Sequence, residues 1–200
     1  SAGKEVNMTA KGSIDASDVT AETAVLKADE NIKAAGITAD RVSIDAGGNA
    51  DVSDITAGSG IEASAGEKLT LKDAASESIK INSGSDAEIS VKENTVITGI
   101  DENSKVGGDL LITGSGKESV VTDDLKVGGD LTAGTAEGSL KTATVNKTAP
   151  DGKLNIFAEK AAAADVDGDL RLGTINAKSA VVIVNNGTMI NGLDDEEKDK

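Results

Sequence analysis

The chain has 200 residues and contains no cysteine, histidine, tryptophan or tyrosine; its single aromatic residue is a phenylalanine, and 23 residues are glycine. Without thiols and imidazoles, the composition excludes thiolate catalysis, imidazole acid–base chemistry and most zinc or haem sites. The formal net charge of −15 opposes binding to nucleic acid or insertion into an anionic membrane, because nucleic acid and anionic lipid attract a positive surface, and no apolar run approaches the roughly 18 residues of a membrane-spanning helix.

Residues 4–57 contain an 18-residue repeat. Written as three blocks, they hold apolar residues at the same seven slots of each block, and only two of the remaining positions, Val25 and Ala35, are apolar. Self-similarity at a fixed period is the signature of a repeat architecture. The seven columns are Val6/Ala24/Val42, Met8/Leu26/Ile44, Ala10/Ala28/Ala46, Ile14/Ile32/Ala50, Ala16/Ala34/Val52, Val19/Ile37/Ile55 and Ala21/Ala39/Ala57.

The spacing within one block predicts β-strands. Apolar residues alternate at positions 6, 8 and 10, then at 14 and 16, then at 19 and 21, and a period of two places one face of a strand inward. Small and polar residues interrupt the alternation at 11–13, 17–18 and 22–23. Each block therefore predicts three short strands and three corners, and successive blocks stack in parallel and in register as coils of a β-solenoid, or parallel β-helix.

Two other architectures do not fit this pattern. An α-helix needs an apolar stripe with a period of 3.6 residues, and the seven slots do not follow one. The left-handed hexapeptide helix has coils of the same length as this repeat, but it needs an apolar residue at every sixth position. Met8 and Ile14 are followed by Thr20, which breaks that rule.

The repeat continues with looser spacing. The motif Val-Gly-Gly-Asp-Leu at 106–110 returns at 127–131, and a related sequence follows about two coils later at 166–170. We therefore predict about ten triangular coils of 18–21 residues in one domain, 1–193, which at about 4.8 Å per coil makes a rod on the order of 50 Å long. The charged run 194–200 is predicted to be a disordered acidic tail. The repeated corner glycines are explained by tight turns with positive φ.

The single aromatic residue lies at one irregular point. Because Leu154, Ile156 and Ala158 alternate inward, Phe157 is predicted to point outward. The following residues, 159–165, suit a short loop or helical turn that would fold over the phenylalanine ring.

Candidate chemistry is sparse. Sugar-cleaving enzymes built on parallel β-helices need paired carboxylates and aromatic platforms, but the adjacent pair Asp123–Asp124 is typical of a solvated turn. Asp165, Asp167 and Asp169 alternate as in calcium loops, although the loop pattern is incomplete and a turn beside a strand is favoured. We predict no catalytic residue, no metal site and no cofactor.

Stretches such as Val42-Ser43-Ile44-Asp45-Ala46-Gly47-Gly48-Asn49 resemble the degenerate repeats of filamentous-haemagglutinin-like bacterial adhesins. The resemblance implies a right-handed β-helix from a secreted or cell-surface protein, with no catalytic residues. It predicts an extracellular stalk or scaffold whose parent protein binds a ligand on a host or neighbouring cell. Two alternatives stay open: a filament-forming, bactofilin-like solenoid that associates end to end, and a polysaccharide-active enzyme.

Overall fold

The computed structural model describes residues 3–137 and 139–191, so the predicted tail, 194–200, and residues 192 and 193 of the predicted domain lie outside it. The described chain contains no helix; its 20 strands form one sheet that winds into a β-solenoid of about ten coils. This confirms the predicted all-β solenoid. The strands are β1 Glu5–Ala10, β2 Ile14–Thr20, β3 Thr23–Ala28, β4 Ile32–Ala46, β5 Ala50–Ala65, β6 Leu69–Ala75, β7 Ser78–Ser83, β8 Ala87–Val91, β9 Thr95–Gly99, β10 Lys105–Val106, β11 Leu110–Thr113, β12 Ser119–Asp123, β13 Lys126–Val127, β14 Leu131–Ala133, β15 Leu140–Asn146, β16 Ala149–Pro150, β17 Lys153–Asp167, β18 Leu170–Asn176, β19 Ser179–Asn185 and β20 Met189–Asn191.

The predicted columns are the columns of the solenoid. β1 pairs in parallel with β3, so that Val6 lies on Ala24 and Met8 on Leu26, and β3 pairs in the same register with β4. Small alanines and larger aliphatic residues alternate in one continuous core that extends from Ile14 to Leu170. Each coil therefore buries its apolar face against its two neighbours, as solenoids require.

The first coils have three faces. The first face consists of β1 and its later counterparts, the second begins at Ile14, and the third is a short segment beginning at Val19. β2 runs through the corner predicted at 17–18 without a break. The bend is made by Asp18, which has a φ of 54°. Left-handed backbone is tolerated best by glycine and by Asp or Asn.

The same bend recurs one coil apart along the first half of the rod. Gly36, Asp54 and Asp73 occupy this column and also have positive φ, between 52° and 70°. In these coils the backbone turns left-handed at this column and not at Gly47 or Gly48.

The predicted coil length is correct for the ends of the rod and wrong for its middle. Near the start, the backbone N–H of Asn49 donates to Asn31, 18 residues earlier, but in the middle that of Ser119 donates to Asn94, 25 residues earlier. The extra residues lie in three loops that leave the sheet: 100–104, 114–118, and a third that begins at Gly134 and returns at Leu140. The loop 100–104 interrupts the first face, because β7 pairs with β9 up to Ile81 and with β10 at Ser83, and the loop 114–118 lies where the third face would continue. The pairing on either side of each loop persists, because loops can grow at the surface without disturbing the core.

The last copy of the Val-x-Gly-Asp-Leu motif is not in register with the first two. Leu110 pairs with Leu131 and Leu131 with Leu154, as predicted for one column. Leu154 then pairs with Leu172, two residues beyond Leu170. The third motif therefore forms a corner displaced by two residues from the column of the first two motifs, although its sequence is similar to theirs.

The Gly-Gly corner has a different cause from the one predicted. Gly47 and Gly128 do not have positive φ. A Cβ added to Gly47 would lie 2.1 Å from the carbonyl oxygen of Asp29 in the preceding coil, and one added to Gly128 would lie 2.4 Å from the carbonyl oxygen of Gly107. The first glycine of each pair is therefore required because two backbones approach closely.

The second glycine makes room for the side chain of the preceding coil. A Cβ on Gly108 would lie 2.1 Å from Oδ1 of Asp86, and one on Gly129 would lie 2.1 Å from Oδ1 of Asp109. The Asx residue that follows each second glycine plays the same part for the next coil: Asp109, which follows Gly108, is the residue whose Oδ1 lies beside Gly129. Gly-Gly-Asx is thus one packing unit, present at 47–49, 107–109 and 128–130, whereas the corners at 66–68 and 84–86 keep only the first glycine.

These Asn and Asp side chains form a ladder of hydrogen bonds between successive corners, which is interrupted where Lys68 and Lys153 provide no Oδ1 and resumes at the displaced corner of Asp169. Each side-chain Oδ1 accepts the backbone N–H of the equivalent residue one coil later, which satisfies a corner amide that has no partner in a strand. The acceptor and donor residues are Asn31 and Asn49 (2.8 Å), Asn49 and Lys68 (3.2 Å), Asp86 and Asp109 (3.0 Å), Asp109 and Asp130 (2.8 Å), Asp130 and Lys153 (2.6 Å), and Asp169 and Thr188 (2.8 Å).

Candidate functional site

The three aspartates considered as a calcium loop do not converge. Asp165 accepts a hydrogen bond from Nδ2 of Asn185 at 2.5 Å, Asp167 accepts one from Nδ2 of Asn186 at 2.9 Å, and Asp169 belongs to the corner ladder. Each carboxylate faces its own partner in the last coil. Within 3–137 and 139–191, no group of three or more His, Cys, Asp or Glu side chains is arranged to hold a metal ion.

The adjacent pair Asp123–Asp124 is divided between two environments. Asp123 ends β12 and accepts a hydrogen bond from Nδ2 of Asn146 in the next coil at 2.6 Å. Asp124 is exposed at the corner with a φ of 48°. One carboxylate joins two coils and the other occupies a left-handed turn, so the pair does not form an acid–base dyad.

Two of the three loops, 100–104 and 114–118, contain a carboxylate whose pKa is lowered. In the loop 100–104, the backbone N–H of Asn103 (2.9 Å) and the hydroxyl of Ser104 (3.0 Å) donate to Asp101 and hold the pKa of its carboxyl below its usual value. The loop is thereby closed on itself as a compact turn.

The loop 114–118 encloses its own carboxylate. Glu118 is 4% exposed, and burial alone raises the pKa of its carboxyl. The hydroxyl of Ser115 donates to it at 2.5 Å, and the backbone N–H groups of Ser115 and Lys117 donate at 2.7 and 3.0 Å. Together these hydrogen bonds outweigh burial, and the pKa of Glu118 lies below its usual value.

The segment 159–165, predicted to be a loop or helical turn, is strand. β17 continues through it to Asp167, and only a local register shift near Leu140 marks the irregularity. Four consecutive alanines favour a helix in isolation, but here Ala162 and Ala164 lie in inward columns, paired with Ala143 and Val145. Tertiary pairing overrides local propensity, and no segment folds over Phe157 from this direction.

Phe157 points outward, as predicted, and is half-buried between neighbouring side chains of β17. It lies beside a shallow groove of about 320 Å³. The groove is bounded by the loop that starts at Gly134 and by the turn from Asn176 to Lys178 in the next coil. It combines an aromatic ring with polar side chains of both charges.

The two ends of the rod differ. At the first coil, Val6, Met8 and Ala10 are only partly buried. In the last described coil, β19 and β20 expose large apolar residues; Val181 is 60% exposed. Residues 179–191 contain no charged side chain, in a chain of net charge −15.

The described part of the chain has no helix of the length and apolar character that a membrane span requires. Comparison of the chain with models of protein families, with curated proteins and with solved structures finds no match.

Sequence reasoning missed the groove beside Phe157 for an identifiable reason. The outward direction of the ring follows from alternation, and Gly134 with its polar neighbours is recognisable as a loop. The coil that separates them runs from Leu131 to its paired residue Leu154 and is longer than the sequence predicts. Even so, a coil of 18–21 residues would also place part of that loop, 136–139, before Phe157. The groove was missed because 159–165 was predicted to fold over the ring, and a covered ring leaves no groove.

Proposed function

We propose that this chain is a non-catalytic stalk or scaffold segment of a secreted or cell-surface bacterial adhesin. The observation that supports this most is the continuous core: buried residues extend without interruption from Ile14 to Leu170, so the coils form one rod. At about 4.8 Å per coil, ten coils span about 50 Å. A rod of this kind holds a binding element, elsewhere in the parent protein, away from the cell surface.

The arrangement of the carboxylates also supports a structural role. Aspartates at the corners accept hydrogen bonds from the next coil, and Asp123 and Asp165 do so on the first face. The resemblance of the repeats to those of haemagglutinin-like adhesins adds the extracellular location and a ligand on a host or neighbouring cell. The role we propose requires neither a cofactor nor a metal ion.

The stalk proposal is tested by removing whole coils from the parent protein in its own bacterium. Deleting 23–77 removes three complete coils, because Thr23 and Ser78 both begin strands of the first face. We expect the protein to reach the surface, to be labelled by antibody on intact cells and to bind cells normally at a reach shortened by about 14 Å. Deleting 23–49 instead leaves a fractional coil and should prevent folding.

Labelling that appears only after the cells are permeabilised would contradict the surface location. Release of reducing sugar by the purified chain from any acidic or neutral glycan of a test panel would contradict a non-catalytic role and favour the enzyme alternative.

A second candidate function, end-to-end assembly into filaments, is favoured by the last coil. Its exposed side chains are uncharged and apolar, and an exposed apolar strand edge pairs readily with another chain. We propose a second copy of this chain as the partner. Electron microscopy should then show rods many coils longer than one molecule.

The assembly is tested by substituting Ile183, which is 49% exposed. Ile183→Lys should abolish the filaments. Val25→Lys is the matched control, because Val25 also points outward on the first face but lies in the second coil, away from the ends. Rods of single-molecule length in the parent protein would rule out assembly and leave the stalk as the sole proposal.

A further inference from the structure

The groove beside Phe157 has a fixed aromatic side. Leu154, Ile156 and Ala158 are at most 5% exposed and hold this part of β17 in the core, which directs Phe157 outward. In the next coil Phe157 pairs with Asn176. In the preceding coil the chain passes it at Gly134, which has a φ of 81° and whose added Cβ would lie 2.2 Å from the Phe157 carbonyl oxygen.

Gly134 therefore carries no side chain that could cover the ring from the preceding coil. The loop that begins there lines the other side of the groove through Ala136 and Ser139. Since the ring is fixed on a paired strand, the groove is formed before any ligand arrives, which lowers the entropic cost of binding.

The polar side chains of the groove balance each other in charge. Glu159 and Lys178 both line it, and neither forms an ion pair with another described residue. Glu159 lies over the loop 114–118, because a Cβ added to Gly116 would be 2.9 Å from its Oε1. The groove thus has one acceptor of charge −1, one donor of charge +1, and the amide of Asn176, which both donates and accepts.

This combination selects a class of ligand. A pyranose ring has an apolar face of C–H groups, which packs on an aromatic ring, and a rim of hydroxyls, each of which donates and accepts hydrogen bonds. An anionic ligand would be repelled by Glu159 and by the strongly negative chain, and a purely apolar ligand would leave the charged groups without partners. A volume of about 320 Å³ is at the lower end of ligand sites and suits one or two sugar rings.

We propose that the Phe157 groove binds a neutral saccharide, with a sugar ring stacked on Phe157 and its hydroxyls bonded to Glu159, Asn176 and Lys178. The inference goes beyond the stalk role and does not depend on it. It gives the rod a ligand site on its side, close to the last coil that the structure describes.

The composition of the chain provides a direct experiment. Phe157 is the only aromatic residue of the protein, so in D₂O its ring protons are the only aromatic signals in a proton NMR spectrum. Cellotriose, maltotriose and N,N′,N″-triacetylchitotriose are titrated separately into the whole chain at millimolar concentrations. We expect at least one of them to shift the Phe157 ring signals in a saturable way.

Variants then assign the effect, with saturation transfer from the protein to the sugar as the measurement. Phe157→Leu keeps the apolar bulk and should weaken binding about tenfold, the scale of one aromatic stacking contact. Glu159→Ala should weaken it several-fold. Leu111→Ala is the matched control, because Leu111 also points outward from the second face but lies two coils away, and it should bind like the parent.

Ring signals that do not move with any of the three sugars would overturn the proposal, as would unchanged sugar binding by Phe157→Leu. A shift caused by trigalacturonate, or by a neutral proline-rich hexapeptide, but not by the neutral sugars would assign the groove to a different ligand and would also overturn it. A thermal melt of Phe157→Leu that matches the parent establishes that the variant is folded.

Discussion

The first four coils and the middle coils of this rod use the same columns in different ways. From Glu5 to Ala75 the coils repeat every 18 or 19 residues, and only two or three residues connect one strand to the next. From Thr95 to Asn146 the first and second faces still pair from coil to coil, but the loop 100–104 interrupts the first face, and loops beginning at 114 and at 134 follow the second face. The buried Glu118 and the groove beside Phe157 belong to this second region or border it.

The comparison indicates which parts of a coil are free to vary. A residue that pairs within a face contacts one coil on each side, so a change at that residue disturbs two neighbouring coils. The segments that became loops, such as 100–104 and 114–118, border solvent, and new side chains can be added there without moving the core. The Gly-Gly-Asx corner is the exception, because it keeps the same geometry from Gly47 to Gly129 through both regions.

The largest expected effect comes from that shared corner. Gly47→Ala in the regular region and Gly128→Ala in the looped region would each place a Cβ within 2.4 Å of a backbone carbonyl oxygen of the preceding coil. Each should lower the free energy of unfolding by about 3 kcal/mol, as overpacking against an immobile backbone does. Chemical denaturation with CD detection measures this.

Gly12→Ala is the control, because no atom lies within 4 Å of the added Cβ. If Gly128→Ala proved harmless while Gly47→Ala did not, the corner would not be common to the two regions, and the comparison would need to be redrawn.

The next effect tests the thin wall of the regular region. Ala28 is 3% exposed and lies in a column between Ala10 and Ala46. Ala28→Leu should overpack this wall and cost about 2 kcal/mol in thermal or chemical unfolding. Thr38→Leu, at an exposed position of the same coil, should cost little; equal losses from the two substitutions would contradict the inward and outward assignments.

A smaller effect depends on pH and belongs to the looped region alone. Because the folded pKa of Glu118 lies below its ordinary value of 4.5, the carboxylate contributes stability above that value, and the contribution is lost as pH falls through the folded pKa. Glu118→Gln should therefore destabilise the protein by about 1–2 kcal/mol at pH 7. The difference from the parent should disappear in acid, below both pKa values.

Unfolding curves across this pH range measure the effect, and Glu62→Gln, at an exposed residue of the regular region, serves as the control. If Glu118→Gln lowered the free energy of unfolding by the same amount in acid as at pH 7, the packing of the Glu118 side chain, and not its charge, would stabilise the loop.

The smallest expected effect is an increase in the free energy of unfolding. The buried hydroxyl of Thr122 has no hydrogen-bond partner, although the residue is 1% exposed and lies between Ile97 and Val145. Thr122→Val removes the unpaired hydroxyl at nearly constant volume and should raise the unfolding free energy by about 1 kcal/mol. Thr148→Val should do the reverse, since the Thr148 hydroxyl donates to the carbonyl of Asn146 at 3.2 Å; destabilisation by Thr122→Val would show that the hydroxyl does have a partner.

Much of the fold was predictable because one face of every strand had to be apolar. The columns of Val6, Met8 and Ile14 follow from that alternation, as does the outward direction of Phe157. The reason for the glycines was not predictable from composition. A glycine needed for positive φ and a glycine needed for close backbone approach look the same in a sequence. At Gly47 only the position of the neighbouring coil shows that close approach is the reason.

The loops were unpredictable for a related reason. The length of a coil is set by where its strand pairs, and a polar insertion such as 114–118 does not reveal how much of it leaves the sheet. Propensity misled at 159–165, where the alanines are held in strand by Ala143 and Val145. The groove was missed because of this second effect, since the strand after Phe157 leaves uncovered a ring that the sequence analysis expected to be covered.

The parallel ladders have a mechanical consequence. Their hydrogen bonds run parallel to the axis of the rod, while the chain winds around that axis. Tension applied at the two termini therefore separates one coil at a time from the next and does not shear the whole sheet at once. Each regular turn of 18 residues would release about 60 Å of extended chain, and each enlarged turn of 23 residues about 78 Å. The length of a single molecule held under force should therefore increase in discrete steps, and the longer steps correspond to the coils that contain loops.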